Sequence, residues 1–502
     1  MKFNKLVLAA AVLGAQTVSP NVRADAVTDQ LDALKKQIEQ LTDKVVTLEK
    51  QAATARIQQA PAGPLNTNGP AVTADPRVEQ LDQKVRTLER NRELDQEAAA
   101  EKAKQAPRVS LDAKGFTFSS ADTNFVVKLK GVLQADTRTF FKDNPASVGD
   151  DGFLLRRARP MLEGTVFRDF DFLFVPDFGG TGTPSIFDAY VNYRYQPELQ
   201  LRVGKFKSPV GLEQLVADRD LLFNERSLVT DLVPNRDVGV QLWGDISEGV
   251  ASYAVGIFNG VGDARNSSNA AFDDNKALAA RLFLQPFKKA GAPALQGFGF
   301  GLAGSYKSVG PNATGLPNNS GFTTDGQQQF FVYTNGVVAN GDHWRLSPQA
   351  TYTYGPFGVL GEYAISDQRV ARGAKAQTLE NTAWQVSAQW VLTGEDASFG
   401  GLTPKRPFDP RHGGWGALQL LARYAELEVD RAAFPTFADP AAVAHSAAAW
   451  SVGLAWWLNQ NIRVLTSFSR TTFEGGGKGV SPVGLVTHQP ENVLFTRVQL
   501  AF

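Results

Sequence analysis

Residues 381–394 read NTAWQVSAQWVLTG and alternate between apolar and polar side chains over almost their whole length. Trp384 and Trp390 fall on the apolar face, whereas Gln385 and Gln389 fall on the opposite face. A period of two sustained over about ten residues, with aromatic residues near the ends, is typical of a transmembrane β-strand. One face of such a strand contacts lipid, and the other faces the interior of a barrel. This stretch therefore predicts one wall strand of a membrane β-barrel.

The same period continues over 124–502 and divides this part of the chain into sixteen candidate strands. They lie near 124–141, 152–167, 169–178, 184–195, 198–207, 236–246, 249–259, 276–287, 297–307, 344–355, 357–370, 381–394, 414–429, 446–458, 461–474 and 491–502. A seventeenth candidate, 328–336, is assigned to a long outer loop (308–343), because bacterial barrels have even strand numbers. With sixteen strands the short links fall on one side of the membrane, with the exception of the long link 394–414. The predicted fold class is all-β, a sixteen-stranded antiparallel transmembrane β-barrel.

The chain before the barrel has two further features. Residues 1–24 combine two basic residues, an apolar run and a small residue at the expected cleavage point, which predicts a signal peptide and export. Residues 25–50 carry apolar side chains at alternating four- and three-residue spacing, which predicts a periplasmic α-helical coiled coil. A flexible linker (51–76) and a second helical segment (77–107) with the same spacing follow, and the barrel occupies 108–502. The alternative for these segments is an ordinary amphipathic helix packed on the next domain.

The composition excludes several classes of function. The chain has 502 residues and zero formal net charge, and it contains no run rich in lysine and arginine, which argues against nucleic-acid binding. It has no cysteine, and therefore no disulfide framework, thiol nucleophile or cysteine zinc site. Its four histidines accompany neither a Gly-x-Ser-x-Gly nor a His-Glu-x-x-His motif. We therefore expect no enzyme activity, no catalytic residue, no metal and no cofactor.

A long link, 208–235, joins two candidate strands and has no simple hydrophobic period. Links of this length are unusual between two strands of a compact soluble domain. A sixteen-stranded barrel is too wide for its own side chains to fill, so it holds water and has room for such a segment. The alternative is a long surface loop. Because strand parity places the link on the side of the long loops, we expect it to fold into the lumen and narrow the pore.

The inward faces of the candidate strands carry more basic than acidic residues, and rings of arginine and lysine select anions. The candidate anion-binding residues of the channel lining are Lys128, Lys130, Arg138, Arg156, Arg157, Arg159 and Arg226. The constriction loop and its flanks add Lys205, Lys207, Arg219 and Arg236. Arg202 and Arg281 also fall on inward faces. In the alternative, the arginines pair with lumen carboxylates and serve only to keep the wall polar.

The loop 208–235 complicates this prediction because it is net acidic. Arg219 lies between two aspartates and is expected to be an ion-paired strut, whereas Arg226 is the better candidate to face a solute. At the start of the loop, Lys205 and Lys207 have the phase of lipid-facing residues unless a bulge at the preceding glycine turns them inward.

Three segments resemble the phosphate-selective porin O and P family of Gram-negative outer membranes, and the resemblance covers about 110–502. They are VGKFKSPVGLE (203–213), ERSLVTDLVPNRDVGVQLWGD (225–245) and FDPRHGGWGALQLLARYAEL (408–427). The resemblance implies a homotrimer of sixteen-stranded barrels, surrounded by outer-membrane lipid and lipopolysaccharide, with an inward-folded third outer loop. It also implies that Lys128 and Lys130 match the family's first-strand lysine pair, and that Arg156 and Arg157 match its paired arginines.

The sequence therefore predicts an outer-membrane porin, a water-filled and moderately anion-selective channel for phosphate, polyphosphate or similar small anions. One alternative is a general porin, or one for sugars or organic anions, because Phe206, Trp243 and Trp457 are candidate lumen aromatics. A second alternative is a tether in which the coiled coil contacts the cell wall and the barrel serves as the anchor.

Overall fold

The computed structural model of this protein describes residues 76–113, 115–141, 149–180, 184–267, 274–310, 321–476 and 490–502. The predicted signal peptide (1–24), the first coiled-coil segment (25–50) and almost all of the linker (51–76) lie outside these ranges. No helix within the described ranges is both long enough and apolar enough to cross a membrane.

One long helix, α1, spans Pro76–Gln105 and is rich in Glu, Lys, Gln and Ala, which favour helix formation. Leu81, Val85 and Leu88 are exposed along it. An apolar stripe at this spacing that the chain itself leaves uncovered is typical of a coiled-coil seam. A helix is therefore present where the sequence predicts one (77–107), and its assembly into a coiled coil stays a prediction.

The described residues contain twenty β-strands, and sixteen of them form a closed antiparallel barrel. The strands are β1 Arg108–Asp112, β2 Gly115–Ser119, β3 Val126–Phe140, β4 Gly152–Val166, β5 Phe170–Asp177, β6 Ser185–Gln196, β7 Leu199–Lys207, β8 Arg236–Ile246, β9 Ala251–Phe258, β10 Ala277–Leu284, β11 Gly299–Val309, β12 Phe322–Thr323, β13 Gln329–Phe331, β14 Val338–Tyr354, β15 Phe357–Arg372, β16 Lys375–Val391, β17 Ala417–Glu428, β18 Ala444–Trp457, β19 Ile462–Gly475 and β20 Glu491–Ala501. The barrel runs from β3 to β11 and from β14 to β20, and it closes where Phe495 of β20 lies opposite Arg138 of β3. The predicted sixteen-stranded barrel is confirmed.

Two strands begin about six residues earlier than their alternation predicts. β14 begins at Val338 rather than 344, and β16 begins at Lys375 rather than 381. The added part of β16 pairs with the end of β15 up to the register Arg372–Lys375. The outward side chains Thr378 and Glu380 of this added part are polar, because the hydrogen-bonded ladder continues beyond the part of the wall that needs an apolar exterior.

The wall strands separate their two faces as the alternation predicts. In the stretch 381–394, Val386 and Trp390 are exposed on the outside of the barrel, whereas Gln385 and Gln389 are buried inside it. The outer side chains are those that lipid would cover. The inner polar side chains are buried because segments of the chain occupy the lumen and hydrogen bond to them.

A hairpin of β1 and β2 lies outside the ring of sixteen strands. The ring closes with Phe502 and Gly131 exchanging backbone hydrogen bonds of 3.0 Å, so the part of β3 before residue 131 extends past the end of β20. β2 pairs with this free edge, from Phe116 opposite Leu129 to Ser119 opposite Val126. The hairpin therefore satisfies backbone groups that barrel closure would leave unpaired.

The candidate strand 328–336 does not enter the barrel. Only Gln329–Phe331 is extended, as β13, and it pairs with β12 in a separate two-stranded sheet. Phe322, Phe330 and Phe331 of this small hairpin are buried in the largest hydrophobic cluster of the described chain. The assignment of this stretch to a long loop is therefore confirmed, and the loop packs inward.

Candidate pore constriction

The loop 208–235 lies inside the barrel and is attached to the wall far from its own ends. The backbone N–H of Glu213 donates to the carboxylate of Glu362 on β15 at 3.0 Å. Further along the loop, the carbonyl oxygen of Leu221 accepts a hydrogen bond of 2.9 Å from Arg463 on β19. Because the loop joins β7 to β8, these contacts require it to cross the lumen.

Asp218 of the loop is surrounded by four arginines. Its carboxylate lies 2.6 Å from Arg226 and 3.7 Å from both Arg157 and Arg236, and it also contacts Arg159. These cations come from β4, from the start of β8 and from the loop itself. One buried carboxylate therefore joins the loop to two separate parts of the wall.

Glu225 makes a second junction of the same kind. Its carboxylate accepts two hydrogen bonds from Arg156, at 2.7 and 3.0 Å, and lies 3.3 Å from Arg138 and 3.4 Å from Arg497. These arginines belong to β3, β4 and β20, on either side of the seam where the barrel closes. The loop is thus held by charge at two of its five acidic residues.

Seven arginines contact these two loop carboxylates, and three of the seven have a second carboxylate partner. These additional pairs are Arg159 with Asp177 at 2.7 Å, Arg236 with Asp188 at 3.1 Å and Arg497 with Asp136 at 2.7 Å. Within the described chain, seven guanidinium groups are therefore matched by five carboxylates. This cluster of Asp218, Glu225 and their partners therefore has more guanidinium groups than carboxylates, although the loop alone is net acidic.

The carboxylates of Asp218 and Glu225 are held in their charged form. Burial by itself would raise the pKa of Asp218, but the charges of Arg226, Arg157 and other nearby cations hold that pKa well below its usual range. Burial acts in the same direction on Glu225, and the neighbouring Arg156 and Arg157 again lower its pKa. Both groups therefore remain ionised at neutral pH and keep their arginines in place.

These contacts account for five of the seven residues that the sequence offers as anion-binding groups of the channel lining. The five are Arg138, Arg156, Arg157, Arg159 and Arg226. The structure gathers them around the loop, where each faces a carboxylate. Their pairing with lumen acids is the alternative that the sequence left open, and a role in binding passing anions is a proposal.

The environments of the loop arginines Arg219 and Arg226 are the reverse of those that the sequence predicts. Arg226 donates to the carbonyl oxygen of Val216 at 2.9 Å as well as to Asp218, and its side chain is 13% exposed. Arg219 lies 3.5 Å from Asp220, and its side chain is 45% exposed. Arg226 is therefore the strut, and Arg219 is the arginine that reaches open space. Of the two aspartates beside Arg219, Asp220 is its ion partner as the sequence predicts, whereas Asp218 turns away towards the wall.

A cavity of about 600 Å³ lies between the loop and the wall formed by β3 to β10. Its basic lining residues are Lys130, Arg159, Arg202, Lys207, Arg219, Arg236 and Arg281, and its acidic lining residues are Glu163, Asp188, Asp218 and Asp245. Cations therefore outnumber carboxylates along the open part of the lumen. Five of the seven cations belong to the residues predicted for the channel lining or the constriction.

Three of these cations, Arg202, Lys207 and Arg281, have no carboxylate oxygen within 4.0 Å in the part of the chain that the structure describes. Lys207 donates to the carbonyl oxygen of Val216 at 2.7 Å, and the Arg281 Nε donates to Gln349 at 3.0 Å. Lys207 and Arg281 are therefore held in position by neutral groups and not by a direct ion pair. Such cations are better able to attract a solute anion than cations that are already paired.

Arg202 falls on an inward face of the predicted barrel, but it is not among the predicted site residues. Its guanidinium carbon lies 4.5 Å from the ring centre of Tyr190 and 4.6 Å from that of Trp243. Stacking on aromatic faces leaves the edge of a guanidinium group free to donate hydrogen bonds. The available signal was the pair of predicted lumen aromatics Phe206 and Trp243, which were interpreted as part of a sugar path.

The lysines predicted for the site have separate environments. Lys130 lies 2.5 Å from Glu163 and lines the cavity, whereas Lys128 lies 3.8 Å from the same carboxylate and is more exposed. Lys205 is buried and donates to the carbonyl oxygen of Ser267 at 2.8 Å. No bulge turns Lys205 and Lys207 inward, since β7 pairs with β8 without a register shift. The preceding Gly204 instead adopts a φ of +135°, which changes the direction of the strand.

The link 392–416 is long for a connection on the short-turn side of the barrel. It contacts the loop 208–235 from that side. Ala397 and Leu402 of the link are buried in one cluster with Phe223 of the loop and Trp457 of β18. A second cavity, of about 260 Å³, lies beside this contact and shares Lys130 and Arg219 with the first. The length of the link follows from this packing, because a short turn would leave the tip of the loop uncovered.

Comparisons with known proteins agree with this architecture. A sequence model described as "Phosphate-selective porin O and P" matches residues 127–502. Among solved structures, the chain is similar to the outer membrane channel DcaP of Acinetobacter baumannii, at 12% identity and a TM-score of 0.48, with 77% of this chain and 99% of that chain covered. It is similar to an anion-selective porin from Comamonas acidovorans, at 12% identity and a TM-score of 0.46, with 75% and 100% covered.

A further similarity is to OmpF of Salmonella typhi in complex with daunomycin, at 11% identity and a TM-score of 0.48, with 79% of this chain and 100% of that chain covered. Identities and TM-scores this low support no argument about what the channel carries. No curated protein sequence matches the chain.

Proposed function

Because this chain belongs to the phosphate-selective porin O and P family of outer-membrane channels, we propose that it forms a water-filled, moderately anion-selective pore for phosphate, polyphosphate or similar small anions. Solutes pass beside the loop 208–235, along the wall formed by β3 to β10. The support for this path is the position of the 600 Å³ cavity, which lies on that side of the loop.

The observation that carries the proposal is the charge balance of the cavity. Glu163, Asp188 and Asp218 are each paired with a cation, and Asp245 accepts a hydrogen bond from Ser252 at 2.6 Å. Among the described lining residues, the groups without an ion pair are therefore chiefly the cations Arg202 and Arg281 and, against them, the one carboxylate of Asp245. In a narrow passage with a low-dielectric wall, a small excess of fixed charge is enough to favour counter-ions.

The sugar alternative is less well supported by the same residues. Stacking platforms for sugar rings need open aromatic faces, but the guanidinium group of Arg202 lies over both Tyr190 and Trp243. Phe206 is buried against Tyr190 and Phe258 and offers no free face on these two sides. The aromatic residues on this wall position a cation instead.

We test the proposal in planar bilayers with the purified protein, measuring the reversal potential in a KCl gradient and block by phosphate, pyrophosphate and maltodextrins. The wild type is expected to prefer anions and to be blocked by phosphate or pyrophosphate. The double variant Arg202→Gln/Arg281→Gln is expected to lose most of that preference. Lys375→Gln, which removes one exposed charge in the turn between β15 and β16, is the matched control.

Cation preference of the wild type would contradict the proposal, and block by maltodextrins without block by phosphate would favour the sugar alternative. Absence of channel current would favour a tether to the cell wall.

We also propose that the protein is a homotrimer with its coiled coil in the periplasm. The support is the exposed apolar stripe of α1, formed by Leu81, Val85 and Leu88. Leu81→Asp/Leu88→Asp is expected to weaken association of the helical segment in a cross-linking assay, whereas Glu89→Asp on the same helix is expected to leave it unchanged. Equal cross-linking of both variants would contradict the coiled-coil assignment.

A further inference from the structure

A second group of buried donors lies outside both cavities, where residues 221–225 of the loop press against β19 and β20. Arg463 is only 1% exposed, and its Nη1 donates to the carbonyl oxygen of Leu221 at 2.9 Å. Its Nε and Nη2 have no hydrogen-bond acceptor, and no carboxylate oxygen lies within 4.0 Å of it, among the residues that the structure describes. Its guanidinium carbon also lies 4.7 Å from the ring centre of Trp457. This contact leaves the positive charge without an anionic partner, which is costly for a buried group.

Two neighbours of Arg463 share its lack of acceptors. Arg497 of β20 is fully buried, donates twice to Asp136 at 2.7 Å and lies 3.4 Å from Glu225, so its charge is compensated, but its Nη1 has no acceptor in the described chain. Asn224 of the loop is 1% exposed; its Oδ1 accepts from Ser467 at 2.8 Å, and its Nδ2 has no acceptor there either.

The strand register brings these groups together. Arg497 lies opposite Leu465, and Leu465 is flanked on the same inward face of β19 by Arg463 and Ser467. Ser467 donates the hydrogen bond to Asn224, so the amide of Asn224 lies at the Ser467 end of the row Arg463, Leu465 and Ser467. Arg463 forms the other end. Arg497 projects from the adjacent strand between them.

All the unmet groups of this cluster are donors, and two of its three members are cations. Guanidinium groups and the Nδ2 of an amide can only donate, so none of them can satisfy another. The loop carboxylate next in sequence to Leu221, Asp220, contacts Arg219 at 3.5 Å. A water molecule would satisfy donors but would not compensate the charge of Arg463, whereas an anion would do both.

We propose that Asn224, Arg463 and Arg497 bind a small monovalent inorganic anion of the halide class, held as a structural counter-ion under the tip of the loop. The class follows from size, since all three side chains are almost completely buried and a phosphate-sized oxyanion would need more room. The ion links the loop to β19 and β20, on the side of the barrel away from the transport path. This proposal does not depend on the selectivity of the channel.

The direct test is a crystal structure of the whole protein grown with bromide in place of chloride. An anomalous difference peak is expected within hydrogen-bonding distance of Arg463 and Asn224. Asn224→Asp supplies a carboxylate at the same position and is expected to abolish the peak while keeping the fold, and Arg463→Met is expected to abolish it by removing the cation. A wild-type site with an ordered water and no anomalous signal, or a peak that survives both substitutions, would overturn the proposal.

A solution measurement gives an independent result. The thermal unfolding midpoint of the detergent-solubilised protein is expected to be lower in potassium gluconate than in potassium chloride at equal ionic strength, because gluconate is too large for the site. Asn224→Asp carries its own negative charge, so its midpoint is expected to be the same in both salts. Equal midpoints for the wild type would also count against a bound anion.

Discussion

The carboxylate of Glu225 on the inward loop accepts two hydrogen bonds from the guanidinium group of Arg156 on β4, at 2.7 and 3.0 Å. This bidentate pair joins a loop residue to a wall residue 69 positions earlier in the chain. Paired charges of this kind are strong and directional when they are buried. The loop is therefore positioned by arginines of the wall, so a change in this ion pair is expected to alter both the position of the loop and the charge of the proposed pore.

Removal of the Glu225 charge is expected to change both properties. Glu225→Gln leaves Arg138, Arg156 and Arg497 without one of their carboxylate partners, which raises the positive charge of the lumen. The anion-to-cation permeability ratio should rise, and the free energy of unfolding should fall by about 3–5 kcal/mol, the usual cost of breaking a buried pair. Reversal potentials and denaturant unfolding measure the two effects.

Glu428→Gln is the control for this change, because Glu428 is an exposed carboxylate at the end of β17. A reversal potential that is the same for Glu225→Gln and for the wild type would show that the arginines around Glu225 do not influence the permeating ions.

The junction at Asp218 is expected to resist mild acid. Its carboxyl has a pKa well below the usual range, so the stability that it contributes is fully present above the unfolded-state pKa of about 4. That contribution is lost only as the pH falls through the lower pKa of the folded protein. The difference in unfolding free energy between the wild type and Asp218→Asn should therefore be constant between pH 7 and pH 4.

Denaturant titrations of both proteins at each pH measure this difference. A difference that shrinks towards zero before pH 4 would mean that Asp218 is already protonated there, which is incompatible with its four arginine contacts.

The two loop arginines are expected to have separable roles. Arg219→Gln removes an exposed charge that lines both cavities, and it should lower the anion preference about twofold without a change in stability, since an exposed charge contributes only a few tenths of a kcal/mol. Arg226→Gln removes a strut of the loop and should increase the open-channel current noise. Single-channel recordings and reversal potentials distinguish the two outcomes. If Arg219→Gln increased the current noise and Arg226→Gln lowered the anion preference, the roles predicted from the sequence would be correct after all.

The contact between the loop and the link 392–416 is expected to limit motion of the loop. Phe223 is buried with Leu402 and Trp457, and Arg423 stacks on its ring at 4.5 Å. Phe223→Ala should cost about 3–5 kcal/mol of unfolding free energy and should widen the distribution of single-channel conductance. Phe153→Ala, at a position that is 90% exposed, is the control and should have neither effect. An unchanged conductance distribution for Phe223→Ala would show that the link does not hold the loop.

The barrel was predictable because its signal is local and repeated. Each wall strand separates lipid from the lumen, so alternation such as that of 381–394 appears in every strand regardless of its neighbours. Parity then assigned 328–336 to a loop, and the structure agrees. The starts of β14 and β16 were missed because the first residues of these strands carry no apolar face towards the outside of the barrel.

The sequence by itself determined the fold, the inward faces of the strands and the identity of most cations along the cavity, because these depend on a period of two and on residue type. Only the tertiary structure decided which cations are free and which are paired. The loop 208–235 brings Asp218 and Glu225 across the lumen to arginines far away in the chain, and no sequence spacing specifies those meetings. Charge compensation depends on distances in space, which is why Arg226 became a strut and Arg202 a candidate for the anion path.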